Sequence, residues 1–505
     1  MIPDLLQSIA DNQSTEDRIV CDRLAESFTG SGKILAKPDR VSGALGERSL
    51  AENAAVIRRL ASQFSTAGLR LYLVGGSVRD RLLGRPTKDL DFTTDALPSV
   101  TRDVLAASSP TSLYAIGEKF GTIGAIFGDL RIEVTTFRGE QYEPGSRKPT
   151  VRYGLSLEDD LARRDFTMNA IAEDATTGEM IDPFGGRADL AVGVIRAVGD
   201  PTLRFGEDPL RLLRAVRFVA QLGFSIEPAT QAAIVAGADG LRQISRERIL
   251  EEMSRIVVAP GASRGLRLLA DLRLFQVFLP EALELRRTTQ GKRSKDVFEH
   301  TLRVIDRTRP DLVLRWAAFL HDIGKPRTIV ITGDEIHFPA HEVVGERLSA
   351  EILQRLRADT DLVERVSRLA GLHMRANQYE DDWSDGAVRR LVREVGADLG
   401  LLLELSTADV TSYRAVKIEA AADRVRRLRD RVRVLEEEAN LAEIKSPLDG
   451  SELMELFGKG PGPWIKPVKN YLLDLVLDGV LSPTDKIGAA RYARECIAEV
   501  SGNSV

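Results

Sequence analysis

The spacing of apolar residues changes part-way along this 505-residue chain. Before about residue 140 they come in short bursts. Leu71–Val74, Leu90–Thr94, Thr122–Phe127 and Ile132–Phe137 are apolar, β-branched and aromatic runs closed by turn residues, which predicts strands. Ala51–Phe64 has helical spacing and leads into the first of them. Past Asp208 apolar positions recur at threes and fours, as in "DPLRLLRAVRFVAQLGF" and "SRERILEEMSRIVV", predicting an almost wholly helical body. On "RVRRLRDRVRVLEEE", Val425, Leu428, Val432 and Leu435 form one stripe, so its arginines read as a solvated face, with an RNA-binding strip as the alternative. Residues 1 to about 50 are polar and Gly/Ser-rich and are expected to be a mostly disordered extension, with at most a short helix over Glu16–Phe28. The fold class is α+β: a head with a small mixed sheet, then helices.

Composition narrows the class only slightly. A hydrophobic share of 43% with 29% charged residues fits a globular chain with a real core. The formal net charge of -5 neither supports nor excludes a nucleic-acid partner, because local patches matter more than the sum. Cys21 and Cys496 lie near opposite ends and suggest no disulfide framework, so a cytoplasmic location is expected. No secretory signal is evident at the N-terminus and no apolar run reaches membrane-spanning length.

The chemistry begins at "LYLVGGSVRDRLLGRPTKDLDFTTDALP". Gly75 and Gly76 let backbone N–H groups approach a phosphate closely; Ser77 offers a hydroxyl and Arg79 a guanidinium fork. A tight strand-to-helix turn would explain the glycines equally well. Asp89 and Asp91, two apart on a strand, point the same way. At about 6 Å they repel by roughly 3 kcal/mol for an effective dielectric of about 20. A divalent cation relieves that repulsion, and Mg²⁺ suits a few carboxylates plus substrate phosphates. Glu133 in "RIEVTTFR" supplies a third acid, unless it is a plain surface strand residue.

Five segments occur in one order: "LVGGSVRD", "DLDFTT", "RRDFTMNA", "DPFGGRADL" and "EDPLRLLRAVRF". Together they resemble the bacterial class II tRNA nucleotidyltransferase and poly(A) polymerase family, with its polymerase-β-like head. The resemblance is strong over about residues 71–258 and looser beyond. It implies Mg²⁺ on Asp89 and Asp91 with Glu133 as third catalytic acid. It further implies nucleotide binding by Gly75, Gly76, Ser77, Arg79, Arg163, Arg164, Asp165 and Asn169, Asp165 taking the ribose 2'-hydroxyl. On the residues alone, Asp165 could equally cap a helix over "FTMNAIA". Asp208 and Arg211 would read the base edge of CTP or ATP, with Arg214 and Arg217 beside them. Read blandly, Asp208 caps a helix begun by Pro209, and the three arginines form a solvated face. Asp182 and Arg187 would end an element that helps switch nucleotide choice.

The chain has five histidines, and four fall in successive helical pieces with the pair His321-Asp322. That series resembles the HD superfamily of metal-dependent phosphohydrolases. The implied core ligands are His300, His321, Asp322 and Asp409, with His341 and His373 added in two-metal members, holding Mg²⁺, Mn²⁺ or a transition metal. A vestigial HD fold that only positions RNA is the alternative. The expected domains are an extension (1–50), head (51–200), neck (201–290), HD domain (291–420) and a C-terminal body holding the tRNA elbow (421–505).

The expected function is template-independent addition of CCA to tRNA 3' ends from CTP and ATP with Mg²⁺, releasing pyrophosphate. "YAIGEKFGTIGAIF" resembles the CCA-adding version more than the poly(A) polymerases, which remain the alternative along with an HD phosphohydrolase bearing a nucleotide-binding head. Partners are tRNA, ATP and CTP, and no membrane.

Overall fold

The computed structural model describes residues 43–86, 89–117, 121–141, 150–153, 156–289, 296–333, 335–410, 415–438 and 445–502. The expected Glu16–Phe28 helix lies outside them. The chain divides into two compact units, Met1–Arg58 and Arg59–Val505. The first helix, α1 (Gly43–Thr66), crosses that boundary and starts before the expected Ala51.

The head is a sheet of strands β1 (Leu71–Val74), β2 (Asp89–Thr94), β3 (Ser112–Gly117), β4 (Thr122–Phe127) and β5 (Leu130–Thr136), completed by β8 and β9 below. Beside it β6 (Arg138–Gln141) and β7 (Thr150–Tyr153) pair as a separate ladder. β8 (Ala172–Asp174) and β9 (Met180–Ile181) close the main sheet in the order β3-β4-β5-β2-β1-β8-β9. β2 and β5 run parallel and the other neighbours antiparallel, so the sheet is mixed as expected.

Alternation decides which face each side chain takes. On β2, Leu90 and Phe92 enter the core while Asp89 and Asp91 stay exposed. On β5, Ile132 and Val134 are fully buried between Arg131 and Glu133. The parallel register sets Asp91 directly beside Glu133 and Asp89 beside Arg131. Across β4, Glu133 also faces Gly124, which faces Tyr114.

Two features depart from the expected pattern. β3, β6, β7 and β9 were not among the predicted strands. "FTMNAIA" forms a 3₁₀ turn, Thr167–Asn169, and then β8 rather than a helix. Phe166, Met168, Ala170, Ile171 and Ala172 are all fully buried. A continuously buried run of that length fits either state, and pairing of Ala172 with Val74 decides for the strand.

The helices that build the sites follow in order. α2 (Gly76–Leu82) follows β1, and α3 (Leu157–Ala162) starts at a Ser156/Asp159 capping box. α4 (Pro201–Glu207) is capped by Asp200. α5 (Leu210–Leu222) buries Leu212, Leu213, Val216 and Val219 and packs against α6 (Arg246–Val257) among others. The HD-like part holds α7 (Val297–Arg307), α8 (Leu312–Leu320), α9 (His341–Arg355), α10 (Thr360–Asn377) and α11 (Leu399–Asp409) around Trp316, Phe298 and Phe319. α12 (Ala415–Glu438) buries Val425, Leu428, Val432 and Leu435, the stripe expected of it. Among the described residues, no helix is long and apolar enough to cross a membrane.

The Tyr114 ring lies across Gly124, where an added Cβ would come 2.1 Å from the ring. Gly124→Ala should therefore unseat Tyr114 and cost about 2 kcal/mol. Denaturant unfolding followed by circular dichroism checks this; an unchanged midpoint would refute the packing.

Candidate active site and metal centre

A cavity of about 1000 Å³ opens between the sheet and the first helices after it. Its lining includes Gly75, Gly76, Arg79, Asp89, Asp91, Arg163, Arg164, Asp165, Asn169, Asp208, Arg211, Arg214 and Arg217, so most expected head residues meet in one place. Nine arginines face it against five aspartates. That excess of fixed positive charge suits a polyphosphate.

The turn from β1 into α2 has to be glycine. Gly75 takes φ 70°, and a Cβ there would sit 2.9 Å from an Arg164 Nη1. Ser77 does not face the cavity as expected. It is buried, donating to the Asp89 carbonyl (3.2 Å) and accepting from the Asp91 N–H (2.9 Å), so it fixes the strand that carries both aspartates. The Asp91 carboxyl reaches solvent but is ringed by protein. That crowding raises its pKa, Arg164 opposes it, and Glu133 and Asp89 push it further up, for a net rise. Repulsion among the three acids is thus present in the fold, and a divalent cation is what would relieve it. Glu133 lies beside Asp91 but does not line the cavity; its carboxylate approaches Tyr114 Oη (3.4 Å) and Arg131 (3.4 Å).

Buried acids aim the arginines. Asp160, fully buried, takes Arg163 on Oδ1 (2.7 Å) and Arg164 on Oδ2 (3.2 Å). Burial alone would raise its pKa, but Arg164 and Arg163 hold it below the usual range. Asp165 accepts from the Phe166 N–H (2.8 Å) and Asn169 (2.9 Å) on Oδ1 and from Arg214 (2.6 Å) on Oδ2. Those partners overcome burial and keep its pKa well below the usual range. It therefore caps no helix, and a ribose hydroxyl would have to share these oxygens. Arg79 bonds Asp80 (2.9 Å) and Asn169 (2.7 Å). Arg217, 5% exposed, pairs with buried Glu252 at 3.1 Å; burial and neighbouring Arg214 lower its pKa to about 10. Guanidinium carbons of Arg79, Arg214 and Arg217 lie 4.9, 5.8 and 4.7 Å from the Phe218 ring centre.

Asp208 and Arg211 share the cavity and a backbone bond, the Arg211 N–H donating to the Asp208 carbonyl (3.0 Å), but their side chains take other partners. Asp208 accepts from the Leu210 N–H (3.2 Å) and pairs with Arg248 (2.8 Å). Arg211 donates to Glu207 (2.8 Å) and to the carbonyls of Arg204 (2.9 Å) and Arg163 (3.0 Å). Asp182 accepts from the N–H groups of Gly186 (2.7 Å) and Arg187 (2.9 Å), a turn-stabilising role.

The second centre is buried. His300 Nε2 lies 2.9 Å from Asp409 and 3.3 Å from Asp322 Oδ2, and His321 Nε2 lies 3.3 Å from the same oxygen. Asp322 Oδ1 faces His341 (3.6 Å) and His373 (3.9 Å) instead. Two three-donor groups, each within 4.8 Å, thus share Asp322. All six expected residues converge; His337 sits apart, exposed beside Glu335.

Nδ1 of His321, His341 and His373 lies 2.9, 2.9 and 2.7 Å from the carbonyls of Ala318, Phe338 and Ala370. A carbonyl only accepts, so in the neutral rings Nδ1 carries the proton and the Nε2 lone pairs point inward. The Nε2 atoms of His341 and His373 are buried without a hydrogen-bond partner. Burial lowers the His321 pKa, but Asp322 and Asp409 reverse this and raise it to about 10. Burial and the charge on His321 push His373 down to about 4. Inward lone pairs beside carboxylates that favour positive charge fit a divalent metal.

Residues 71–196 match the family model of the poly A polymerase head domain, residues 223–285 that of a probable RNA and SrmB-binding site of polymerase A, and residues 297–421 the HD domain. The chain is 33% identical to the CCA-adding enzyme of Geobacillus sp. (strain WCH70) over 414 residues, 82% of this chain and 90% of the relative. The chain belongs to the tRNA nucleotidyltransferase family. An A-adding tRNA nucleotidyltransferase of Deinococcus radiodurans is 34% identical over 416 residues, covering 80% of this chain and 90% of the relative. The solved structure of a Bacillus stearothermophilus CCA-adding enzyme in complex with CTP superposes with a TM-score of 0.64 at 29% identity, covering 90% of this chain and 99% of that one.

In this nucleotidyltransferase, sequence reasoning missed Tyr114, Asp160, Phe218, Arg248 and Glu252. Only Asp160 carried a local signal, at three and four residues before the paired arginines. Asp160→Asn should lower stability at pH 7 by on the order of 3 kcal/mol and weaken nucleotide binding, because two arginines lose their buried anion. A carboxylate with a lowered folded pKa stabilises above its unfolded pKa, near 3.9. That contribution is lost as pH falls through the folded value. The gap between thermal melts of wild type and variant should thus hold from pH 7 to about pH 4 and narrow below it; a gap that stays constant on further acidification would refute the assignment.

Proposed function

We propose that this enzyme adds CCA to tRNA 3' ends from CTP and ATP in a Mg²⁺-dependent reaction that releases pyrophosphate. One observation carries the reading: Asp89 and Asp91 project from a single strand face into an arginine-lined cavity large enough for a nucleoside triphosphate. In the reaction the tRNA 3'-hydroxyl attacks the α-phosphate, the α–β anhydride bond breaks, and pyrophosphate departs with the electron pair. Asp89 and Asp91, with Glu133 beside them, would hold magnesium, which supplies charge neutralisation at the attacked phosphate and favours loss of the hydroxyl proton. Arg163 and Arg164, fixed by Asp160, receive the phosphates. Asp208 and Arg211 supply an acceptor and a donor fork for the base edge, each good contact discriminating by about 1–3 kcal/mol.

The near-equal likeness to CCA-adding and A-adding relatives makes product sequence the decisive measurement. Given tRNA lacking its last three nucleotides, the enzyme should add C, C and then A when both triphosphates are present. A-only products or a long A tract would reassign it. Asp89→Ala or Asp91→Ala should lower transfer by at least about 10³-fold while tRNA affinity changes less than about twofold. Full activity in either variant would refute the metal role.

The six-residue buried centre favours a second reading, a metal-dependent phosphohydrolase acting on phosphate-bearing RNA ends. A metal there would polarise a phosphoryl group and activate water. Asp322→Ala should remove the metal of this centre, read as a drop in bound metal by elemental analysis, and abolish hydrolysis of a 2',3'-cyclic phosphate, while nucleotide addition persists. A wild-type protein that binds no divalent metal would rule it out.

A further inference from the structure

We propose that Tyr114 is a positioning residue of the transfer site: its hydroxyl steers the Glu133 carboxylate beside the aspartate pair and so sets the divalent-metal affinity of the head. The proposal rests on the metal role given to Glu133 above. Tyr114 itself stands on another strand and does not line the cavity.

Tyr114 reaches Glu133 across an intervening strand. β4 lies between β3 and β5, and the register puts Tyr114, Gly124 and Glu133 in one row over the three strands. A side chain at position 124 would fill the gap between them. Gly124 leaves it open, and the tyrosine ring lies in it. The β3–β4 ladder slips just past this row, from Tyr114↔Gly124 to Gly117↔Thr122, an irregularity of the kind that re-aims side chains. The pairing of Glu133 with Asp91 carries the row on to β2. Four adjacent strands thus align a phenol, an empty position, the third acid and one of the two aspartates.

The direction of the hydrogen bonds follows from what each group can do. Arg131 Nε donates to Tyr114 Oη at 2.7 Å, and the Arg131 guanidinium carbon lies 5.2 Å from the centre of the same ring. A guanidinium only donates, so Oη accepts there and keeps its own proton for an acceptor elsewhere. Glu133 Oε1 is that acceptor, 3.4 Å away, a long contact that steers the carboxylate more than it binds it. Arg131 Nη2 lies 3.4 Å from the same oxygen. The Glu133 side chain is 40% exposed, and no further hydrogen bond or ion pair holds it among the described residues. A carboxylate on a flexible stem loses rotamer freedom when it takes a metal, and one already steered loses less. A partner standing behind a metal ligand commonly changes metal affinity by about 10- to 100-fold. A contact this long and this exposed belongs below that range.

The deciding variant is Tyr114→Phe in the full chain, which keeps the ring over Gly124 and removes only the hydroxyl. The Mg²⁺ concentration for half-maximal CMP incorporation should rise roughly 3- to 10-fold. At saturating Mg²⁺, kcat should stay within about twofold of wild type and KM for tRNA should not move. The same shift should appear without turnover, as weaker Mn²⁺ uptake followed by paramagnetic resonance in protein carrying Asp322→Ala, which empties the buried centre. With Glu133→Ala also present, the Mn²⁺ shift caused by Tyr114→Phe should vanish, because no carboxylate is left to steer. A shift that persists without Glu133 marks a merely structural tyrosine and overturns the proposal. An unshifted or lowered metal requirement in Tyr114→Phe, with Glu133→Ala alone weakening Mn²⁺ uptake, overturns this proposal and leaves the metal role of Glu133 standing. If Glu133→Ala alone takes up Mn²⁺ as wild type does, or the wild-type head takes up none, the metal role fails and this proposal falls with it.

Discussion

Nine arginines gather around one cavity, and buried carboxylates hold four of them, Arg163, Arg164, Arg214 and Arg217, in place. At about 4 Å and an effective dielectric of about 20, two like charges repel by roughly 4 kcal/mol. The strain is visible at Arg217, whose pKa falls to about 10 under burial and the nearby Arg214. Asp160, Asp165 and Glu252 lie behind the guanidinium groups, all under 8% exposed, and each takes at least one of them. Phe218 gives three of the same groups a shared negative ring face. The acids set direction as well as charge: Asp160 divides its two oxygens between consecutive arginines, so neither can turn away alone. A cavity organised this way needs little rearrangement when a triphosphate arrives.

That arrangement explains which parts of the site could be read from the chain. Asp89 and Asp91 were legible because strand alternation is a local rule, and Leu90 and Phe92 between and after them name the buried face. Gly75 was legible because a strand-to-helix turn at φ 70° excludes other residues. Ser77 was assigned to a ligand, yet its hydroxyl serves a strand twelve residues on. Glu252 and Arg248 sit on a helix that reads as ordinary amphipathic surface; what makes them part of the site is the packing of α6 on α5, which no spacing announces. The same packing seats Arg217 against Glu252, and both it and Arg211 are buried, which excludes the solvated-face alternative for these two. "FTMNAIA" went to a strand because a continuous buried run does not encode its period.

The two centres handle charge in opposite ways. Asp89 and Asp91 are exposed and surrounded by arginines, so an ion held there stays open to substrate phosphates. Asp322 is 1% exposed and faces four imidazoles, with Lys325 Nζ 2.7 Å from Oδ2. Its histidines were legible as a series, since few others exist in the chain. Their ring orientation was not, because it comes from carbonyls three residues back, which only the folded backbone supplies.

Base selection by side chains makes a specific demand on the pairs seen around the cavity. Asp208 and Arg248 form a partly exposed ion pair, with side chains 24% and 45% accessible, and such pairs contribute only about 0–1 kcal/mol. Asp208 can therefore leave Arg248 for a base amino group at little expense. Arg211 is different. It is 8% exposed and holds three acceptors on two segments, Glu207 and Arg204 on α4 and Arg163 at the end of α3, so moving it disturbs both together. On the proposed reading, Arg211 is the fixed reference and Asp208 the adjustable partner. A change from one base to another would then begin at the α4–α5 junction, where Asp208 follows the last turn of α4, and would leave the arginines over the phosphates where they are.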